Sequence, residues 1–149
     1  MSGVMQHGPC DIVGQVLLDL GAVSEAAGTA NWPLGISEDL SGPDNMVSIF
    51  DTQGALQGFT QPTGEMQEQE GILIRVRARE YKTGFTKAKA LATLLDQTIT
   101  YDTVTIDSTN YMIHSINRTS GVLHVGKETG ASKRHLFTIN ATVALTQLN

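Results

Sequence analysis

The amino-acid sequence predicts an α+β fold: a mostly antiparallel sheet, two amphipathic helices packed on one of its faces, and long loops at the ends. Apolar and polar residues alternate with the period of a strand at residues 72–79 and 137–145. Apolar residues recur with the period of a helix at residues 12–20 and 81–97. The 149 residues, 40% of them apolar, fit one domain over residues 1–149 that buries a core without disulfides.

The first helix is expected between Pro9, a residue that suits a helix start, and Gly21, which suits a helix end. Leu18 falls outside its apolar stripe and is free to face a partner. A short segment around Leu34 and a strand at residues 46–50 follow. The stripe of this helix consists of Ile12, Val13, Val16, Leu17 and Leu20.

The strand at residues 72–79 leads directly into the second helix. One face of this strand carries apolar side chains, and the other carries Arg75, Arg77 and Arg79. The helix at residues 81–97 has a polar back and an apolar stripe, which we expect to face the core. The stripe consists of Phe85, Ala88, Leu91, Ala92 and Leu95.

The remaining residues predict strands and loops. Residues 119–121, with the turn-forming sequence TSG, separate strands at 111–118 and 122–125, which indicates a hairpin. A short strand at 104–106 precedes them, and the last strand turns Phe137, Ile139, Ala141, Val143 and Leu145 inward. Two polar segments, residues 55–70 and 126–132, are expected to form long mobile loops.

Charge is divided unevenly along the chain. Residues 1–71 contain ten acids and no base, whereas residues 72–149 contain ten bases and five acids, so the two parts carry −10 and +5. The parts either neutralise each other within one fold or meet between neighbouring subunits. A head-to-tail contact of the second kind closes into rings or grows into filaments. The net charge of −5 disfavours binding to nucleic acid through the phosphate backbone.

No residue pattern predicts catalysis, a cofactor or a metal site. The four histidines form no HExxH or Cys/His ligand motif, and His114 and His124, on the expected hairpin, lack a third ligand. Cys10 has no histidine beside it and is expected to be a buried thiol. Neither a signal peptide nor an apolar run of about 18 residues is visible, so we expect a soluble protein inside the cell.

The arginine row, Arg75, Arg77 and Arg79, is the most unusual local feature. Three like charges on one strand face repel each other unless acids lie nearby. The acidic first half of the same chain, or that of a neighbouring subunit, is the obvious source of those acids. Two other interpretations are that the arginines are simply solvated on an exposed sheet face or that they bind phosphate. The acidity of the whole chain disfavours phosphate binding.

Three segments, in this order, resemble the tail terminator family of long-tailed bacteriophages, also called minor capsid or tail completion proteins. The first is residues 43–54, PDNMVSIFDTQG, a Pro-Asp turn and short strand. The second is residues 74–81, IRVRAREY, followed by Lys87-Ala88 and Leu94-Leu95. The third runs from YMI at 111–113 through VGKETG at 125–130 to RHLFTIN at 134–140.

The resemblance implies a structural virion protein and not an enzyme. Such proteins form a ring, usually of six copies, at the head-proximal end of the tail tube, where they stop tube polymerisation and join the head connector. The resemblance also implies assembly in the host cytoplasm, the tail tube protein and a head completion protein as partners, no cofactor, no membrane, and DNA passing through the ring without specific binding. The candidate interface residues are Arg75, Arg77, Arg79, Leu18, Asp44, Asp51, Lys127, Glu128 and Arg134.

Three alternatives stay open at this point. The chain could be another head–tail connector or completion protein that docks on the head side. It could be a small enzyme whose site the sequence does not reveal, in which case a concave pocket with convergent polar groups is expected. It could also be a generic oligomeric binding module.

Overall fold

The computed structural model describes residues 6–25, 31–39, 43–52, 68–99, 102–130 and 133–148. Helix α2 continues without a break into a π-helical turn at Leu94–Thr98. The helices and strands, in chain order, are α1 (Pro9–Asp19), β1 (Leu34–Ile36), β2 (Met46–Thr52), β3 (Glu68–Ala78), α2 (Tyr81–Thr93), β4 (Asp102–Ile106), β5 (Thr109–Arg118), β6 (Leu123–Lys127) and β7 (His135–Gln147).

The strands of the described residues form one sheet in the order β1-β2-β3-β7-β5-β4, and β6 also pairs with β7. Strands β1 and β2 are parallel, and every other pair is antiparallel. The last strand, β7, lies at the centre of this order although it comes last along the chain. The α+β class and the mostly antiparallel sheet are therefore confirmed.

The predicted hairpin between residues 111–118 and 122–125 is wrong. Strands β5 and β6 do not pair with each other but both pair antiparallel with β7, one after the other along the same edge. The Thr119 N–H donates to the carbonyl of Asn140 on β7 at 2.9 Å. Between β5 and β6 the chain therefore stays beside β7 and continues in the same direction instead of reversing. Turn-forming residues suit such a continuation as well as a reversal.

A true reversal lies on the other side of β5. Asp107 and Ser108 join β4 to β5, and their φ angles are 48° and 68°. Two successive left-handed residues match the type I′ turn, whose twist fits antiparallel strands. The hairpin of β5 is therefore formed with β4.

Both helices lie on one face of the sheet, and their buried side chains form a single core with the inward residues of the strands. Helix α1 contacts β1, β2, β3 and also β4, at the opposite end of the strand order. In a flat sheet β1 and β4 would be about 24 Å apart, since strands are about 4.8 Å apart. A helix is about 10 Å wide, so the sheet must curl around α1.

The first turn of helix α2 packs on the sheet one position earlier than predicted. The side chain of Phe85 is 37% exposed, and Gly84 is buried in its place. A Cβ atom on Gly84 would lie 2.6 Å from Phe137 Cε2, so the missing side chain lets α2 approach β7 closely. The rest of the predicted stripe is buried, namely Ala88, Leu91, Ala92 and Leu95.

Helix α1 agrees with its predicted ends and apolar face. It begins at Pro9, and Gly21 follows it with a φ of 73°, the left-handed conformation typical of a helix end. Gly14 within the helix is explained by close packing, because a Cβ there would lie 2.8 Å from Ile36 Cδ1.

The two predicted loops are shorter than expected where they are described. Residues 68–70 belong to β3, which corrects the prediction of a loop over 55–70, and residues 53–67 lie outside the described residues. Gly126 and Lys127 belong to β6, so the second loop begins at residue 128, and residues 131–132 lie outside the described part.

Candidate assembly interface

The arginine row of β3 is paired with acids of its own chain. Arg75 Nη1 lies 2.5 Å from Asp39 Oδ2, and Arg79 Nη1 lies 3.2 Å from Asp44 Oδ2. Both acids come from the acidic first half of the sequence. For Arg75 and Arg79, the acids therefore come from the first half of the same chain, whereas the acid beside Arg77 is Glu128 of the second half, at 3.8 Å.

Two arginines form the buried centre of this charge cluster. Arg77 is 3% exposed and donates from Nη2 to the Pro43 carbonyl at 2.5 Å, and Arg134, 7% exposed, donates from Nη1 to the same oxygen at 2.7 Å. Arg134 Nε also donates to Glu128 Oε1 at 2.6 Å. The guanidinium groups of Arg77 and Arg134 are therefore enclosed by groups of their own chain.

Asp51 and Leu18, two other candidates, lie beside α1. Asp51 Oδ1 accepts a hydrogen bond from the Cys10 N–H at 3.0 Å, which places a carboxylate at the positive end of the helix dipole. Cys10 itself is buried, and burial raises the pKa of its thiol. Leu18 is half-buried and lines a cavity described below.

An exposed apolar surface at β6 was missed by the sequence reasoning. Tyr81 is 47% exposed, Leu123 59% and Val125 57%, and the Tyr81 and Phe85 rings stack with centroids 5.9 Å apart. The Tyr81 ring meets His124 of β6 edge-on at 5.0 Å, which joins the helix to the strand. Leu123 pairs opposite Thr138 and so lies on the face of β6 away from His124. We call β6 and the exposed residues on both of its faces the β6 patch, and its members are Tyr81, Phe85, Leu123, His124 and Val125.

The β6 patch ends at an open strand edge. Strand β6 pairs with β7 on one side, and in the described ranges no strand pairs with its other side. Unpaired edge strands expose backbone donors and acceptors, and natural proteins usually protect or cover them. Exposed apolar side chains beside such an edge are typical of a surface that another protein covers. Lys127, exposed at the end of β6, adds positive charge.

His124 of the β6 patch contacts a second histidine, His135. His124 Nε2 lies 3.1 Å from His135 Nδ1, and Tyr81 packs edge-on against both rings. Desolvation, followed by the positive charge of Lys127 and by His124, lowers the pKa of His135. His114, the other histidine considered as a metal ligand, instead forms a hydrogen bond with Thr146 Oγ1 at 2.8 Å, and Thr146 lies about 36 Å from His135 along β7.

Acidification is expected to weaken the fold around His135. Because the folded chain binds this proton less readily than the unfolded chain, stability is complete above the ordinary histidine pKa of 6.5 and falls as the pH drops through it. The melting temperature of the wild type should fall more between pH 7.5 and pH 5.5 than that of His135→Gln. His114→Gln, as the control, should behave like the wild type, and equal losses in all three proteins would contradict the expectation.

A second surface feature lies where the two edges of the curled sheet approach α1. A cavity of about 300 Å³ has an apolar floor of Leu18, Leu34, Ile36 and Ile106 and a polar rim that includes His7, Asp11 and Asp107. His7 Nδ1 lies 2.5 Å from the hydroxyl of buried Tyr111, and His7 Nε2 lies 3.5 Å from Asp107 Oδ2. We call this cavity the α1 pocket. Leu18 is the one predicted interface residue that it contains.

The polar groups of the described residues give no metal centre. Across residues 6–25, 31–39, 43–52, 68–99, 102–130 and 133–148, no three His, Cys, Asp or Glu side chains are grouped so as to hold a metal ion. Within the same ranges, each helix is too short or too polar to cross a lipid bilayer.

Comparisons with known proteins do not assign the chain to a family. No family model matches it, and no curated protein matches it. Among the solved structures that match, one whose name describes no function aligns over 99% of this chain and 99% of its own, with 14% sequence identity and a TM-score of 0.47.

Proposed function

We propose that this chain is a structural protein of a bacteriophage tail, which forms a ring at the head-proximal end of the tail tube, stops tube polymerisation and provides the surface that joins the head. The β6 patch carries the proposal. It combines large exposed apolar side chains with an open strand edge, and both features suit a subunit that is covered by another protein in its working state.

The resemblance to tail terminators supports the same proposal from the sequence. Residues 43–54 supply Pro43 and Asp44 of the charge cluster and the strand β2. Residues 74–81 span the end of β3 and the start of α2, including the patch residue Tyr81. The third segment contributes β5, β6 and the first part of β7. Parts of all three segments, including Pro43, Tyr81 and Arg134, therefore lie at the end of the molecule that carries the β6 patch, whereas Tyr111 lies at the other end of β7.

The charge of the chain suits a ring through which DNA passes. The net charge is −5, and all five arginines form ion pairs with acids of the same chain, namely Arg75, Arg77, Arg79, Arg118 and Arg134. Free basic side chains would attract the phosphates of passing DNA, and paired ones attract them less. A ring of such subunits would let DNA slide without being held.

The proposal predicts a defined assembly that caps tail tubes. Native mass spectrometry of the purified full chain should give closed rings, with six copies as the expected number, either alone or after mixing with tail tube protein. Added during tube polymerisation, the protein should shorten the tubes seen by electron microscopy in proportion to its concentration. A matched amount of Leu123→Ser/Val125→Ser protein, altered only on the exposed edge of β6, should shorten them less.

Two outcomes would overturn the proposal. One is a chain that stays monomeric both alone and with tube protein. The other is a ring that binds the head-side connector and leaves tube length unchanged, which would instead favour a head completion protein.

A further inference from the structure

We infer that the occupant of the β6 patch is the α1 pocket of a second copy of this chain, so that subunits join head to tail. The inference rests on the proposed ring and names the two surfaces that form it. Leu123 and Val125 of one copy pack on the apolar floor of the α1 pocket, and Lys127 lies at its acidic rim.

The positions of the two surfaces carry the inference first. The β6 patch lies at the start of β7, where Leu123 pairs opposite Thr138 and Lys127 opposite His135. The α1 pocket lies at the other end, where Tyr111, the partner of His7, pairs opposite Gln147. Strand β7 has 13 residues, which is about 40 Å of extended chain. Two surfaces at opposite ends of a rigid strand can each engage a different neighbour.

The shapes of the two surfaces are also complementary. The patch offers protruding aliphatic side chains on an exposed strand, and the pocket is a concave site of about 300 Å³ with an aliphatic floor. That volume is at the lower limit for small-molecule sites, and it suits side chains inserted from another protein. A protruding apolar group on one surface and a pocket elsewhere on the same molecule make a heterologous contact, which closes into a ring or extends as a filament.

Charge favours the same pairing over a contact between two identical patches. Lys127 is exposed at the end of β6, and Lys89 Nζ lies 5.5 Å from the centre of the Phe85 ring. The rim of the α1 pocket carries Asp11 and Asp107, and Asp107 is exposed. Two β6 patches would bring like charges together, whereas a patch and a pocket bring opposite charges together.

Mixing two variants tests the inference. Leu123→Ser/Val125→Ser disables the patch but keeps the pocket, and Leu18→Arg disables the pocket but keeps the patch. Under conditions in which the wild type forms rings, each variant alone should be monomeric. An equal mixture should give dimers of one copy of each and no larger species. Of the four possible contacts between a patch and a pocket, only the one between the patch of the Leu18→Arg copy and the pocket of the other copy has both surfaces unchanged. Native mass spectrometry separates these species, since the two variants differ in mass.

Each other outcome has a distinct meaning. Variants that assemble like the wild type, or a mixture that stays monomeric while the wild type forms rings, would overturn the inference and leave the proposed ring intact. A wild type that never assembles would overturn both. If Leu18→Arg does not fold, Lys127→Glu gives a second test, because Lys127 is exposed. This change should raise the dissociation constant of assembly at least tenfold. Lys133→Glu, at another exposed position, is the control and should leave the dissociation constant unchanged.

Discussion

Replacing Arg77 by glutamate should lower the free energy of unfolding by about 3–5 kcal/mol, the usual cost of breaking a buried ion pair by removing one partner. Arg77 is almost fully buried, and its guanidinium group binds the Pro43 carbonyl and lies 3.8 Å from Glu128 Oε2. A glutamate would leave that carbonyl without this donor and would place a second negative charge beside Glu128. Since domains are stable by about 5–15 kcal/mol, this loss would be a large share of the total stability.

Arg79→Glu is the matched control, because it makes the same charge reversal two residues further along the chain. The Arg79 side chain is 75% exposed and paired with Asp44, so its replacement should cost about 1 kcal/mol or less. Urea denaturation followed by circular dichroism measures both variants. Equal midpoints for the two would mean that the buried cluster contributes nothing beyond a surface ion pair.

Phe137→Ala should have an effect of similar size, about 3–5 kcal/mol, because it removes a large buried ring. Phe137 is fully buried, lies under Gly84 and contacts the rings of Tyr81 and His124 at centroid distances of 5.5 and 4.9 Å. The cavity would open between α2 and β7, so the support of the β6 patch would be lost as well. Assembly should therefore fail together with stability.

Phe85→Ala separates these two consequences. It removes the same kind of ring from the same cluster, but at a position that is 37% exposed, so the loss of stability should be about 1 kcal/mol or less. Thermal unfolding at several denaturant concentrations gives both values. A Phe137→Ala protein as stable as Phe85→Ala would show that α2 collapses onto the sheet and fills the space.

The elements with a strong local period were predictable from the sequence. The residues of β3 and β7 that were predicted to face inward are all buried, and α1 buries the predicted stripe. The inward faces of these elements follow from the local backbone period, although Arg77 and Ala144, on the other faces of β3 and β7, are buried as well. Leu20, included in the α1 stripe, is the exception: it follows the helix end and is 45% exposed.

The contacts that depend on distant parts of the chain were not predictable in the same way. Residues 119–121 have the sequence pattern of a turn, but β5 and β6 pair one after the other with the same edge of β7. Whether the chain reverses at residues 119–121 or continues along β7 depends on β7, which is distant in the sequence. Phe85 is exposed because Gly84, not a large side chain, touches β7. The sequence favours acids of the first half as neighbours of the arginine row, but local patterns could not decide whether those acids belong to the same chain. They also gave no sign that Arg77 lies beside Glu128, an acid of the second half.

The central position of β7 has a consequence for how the protein is made. Strands β3, β5 and β6 all pair with residues 135–147, and the pairing of Ala78 with His135 joins residues far apart in the sequence. While that segment is still inside the ribosome, the earlier strands cannot pair with β7, and their apolar faces remain exposed. Such non-local pairing is slow to form, so newly translated copies should depend on chaperones until the segment emerges.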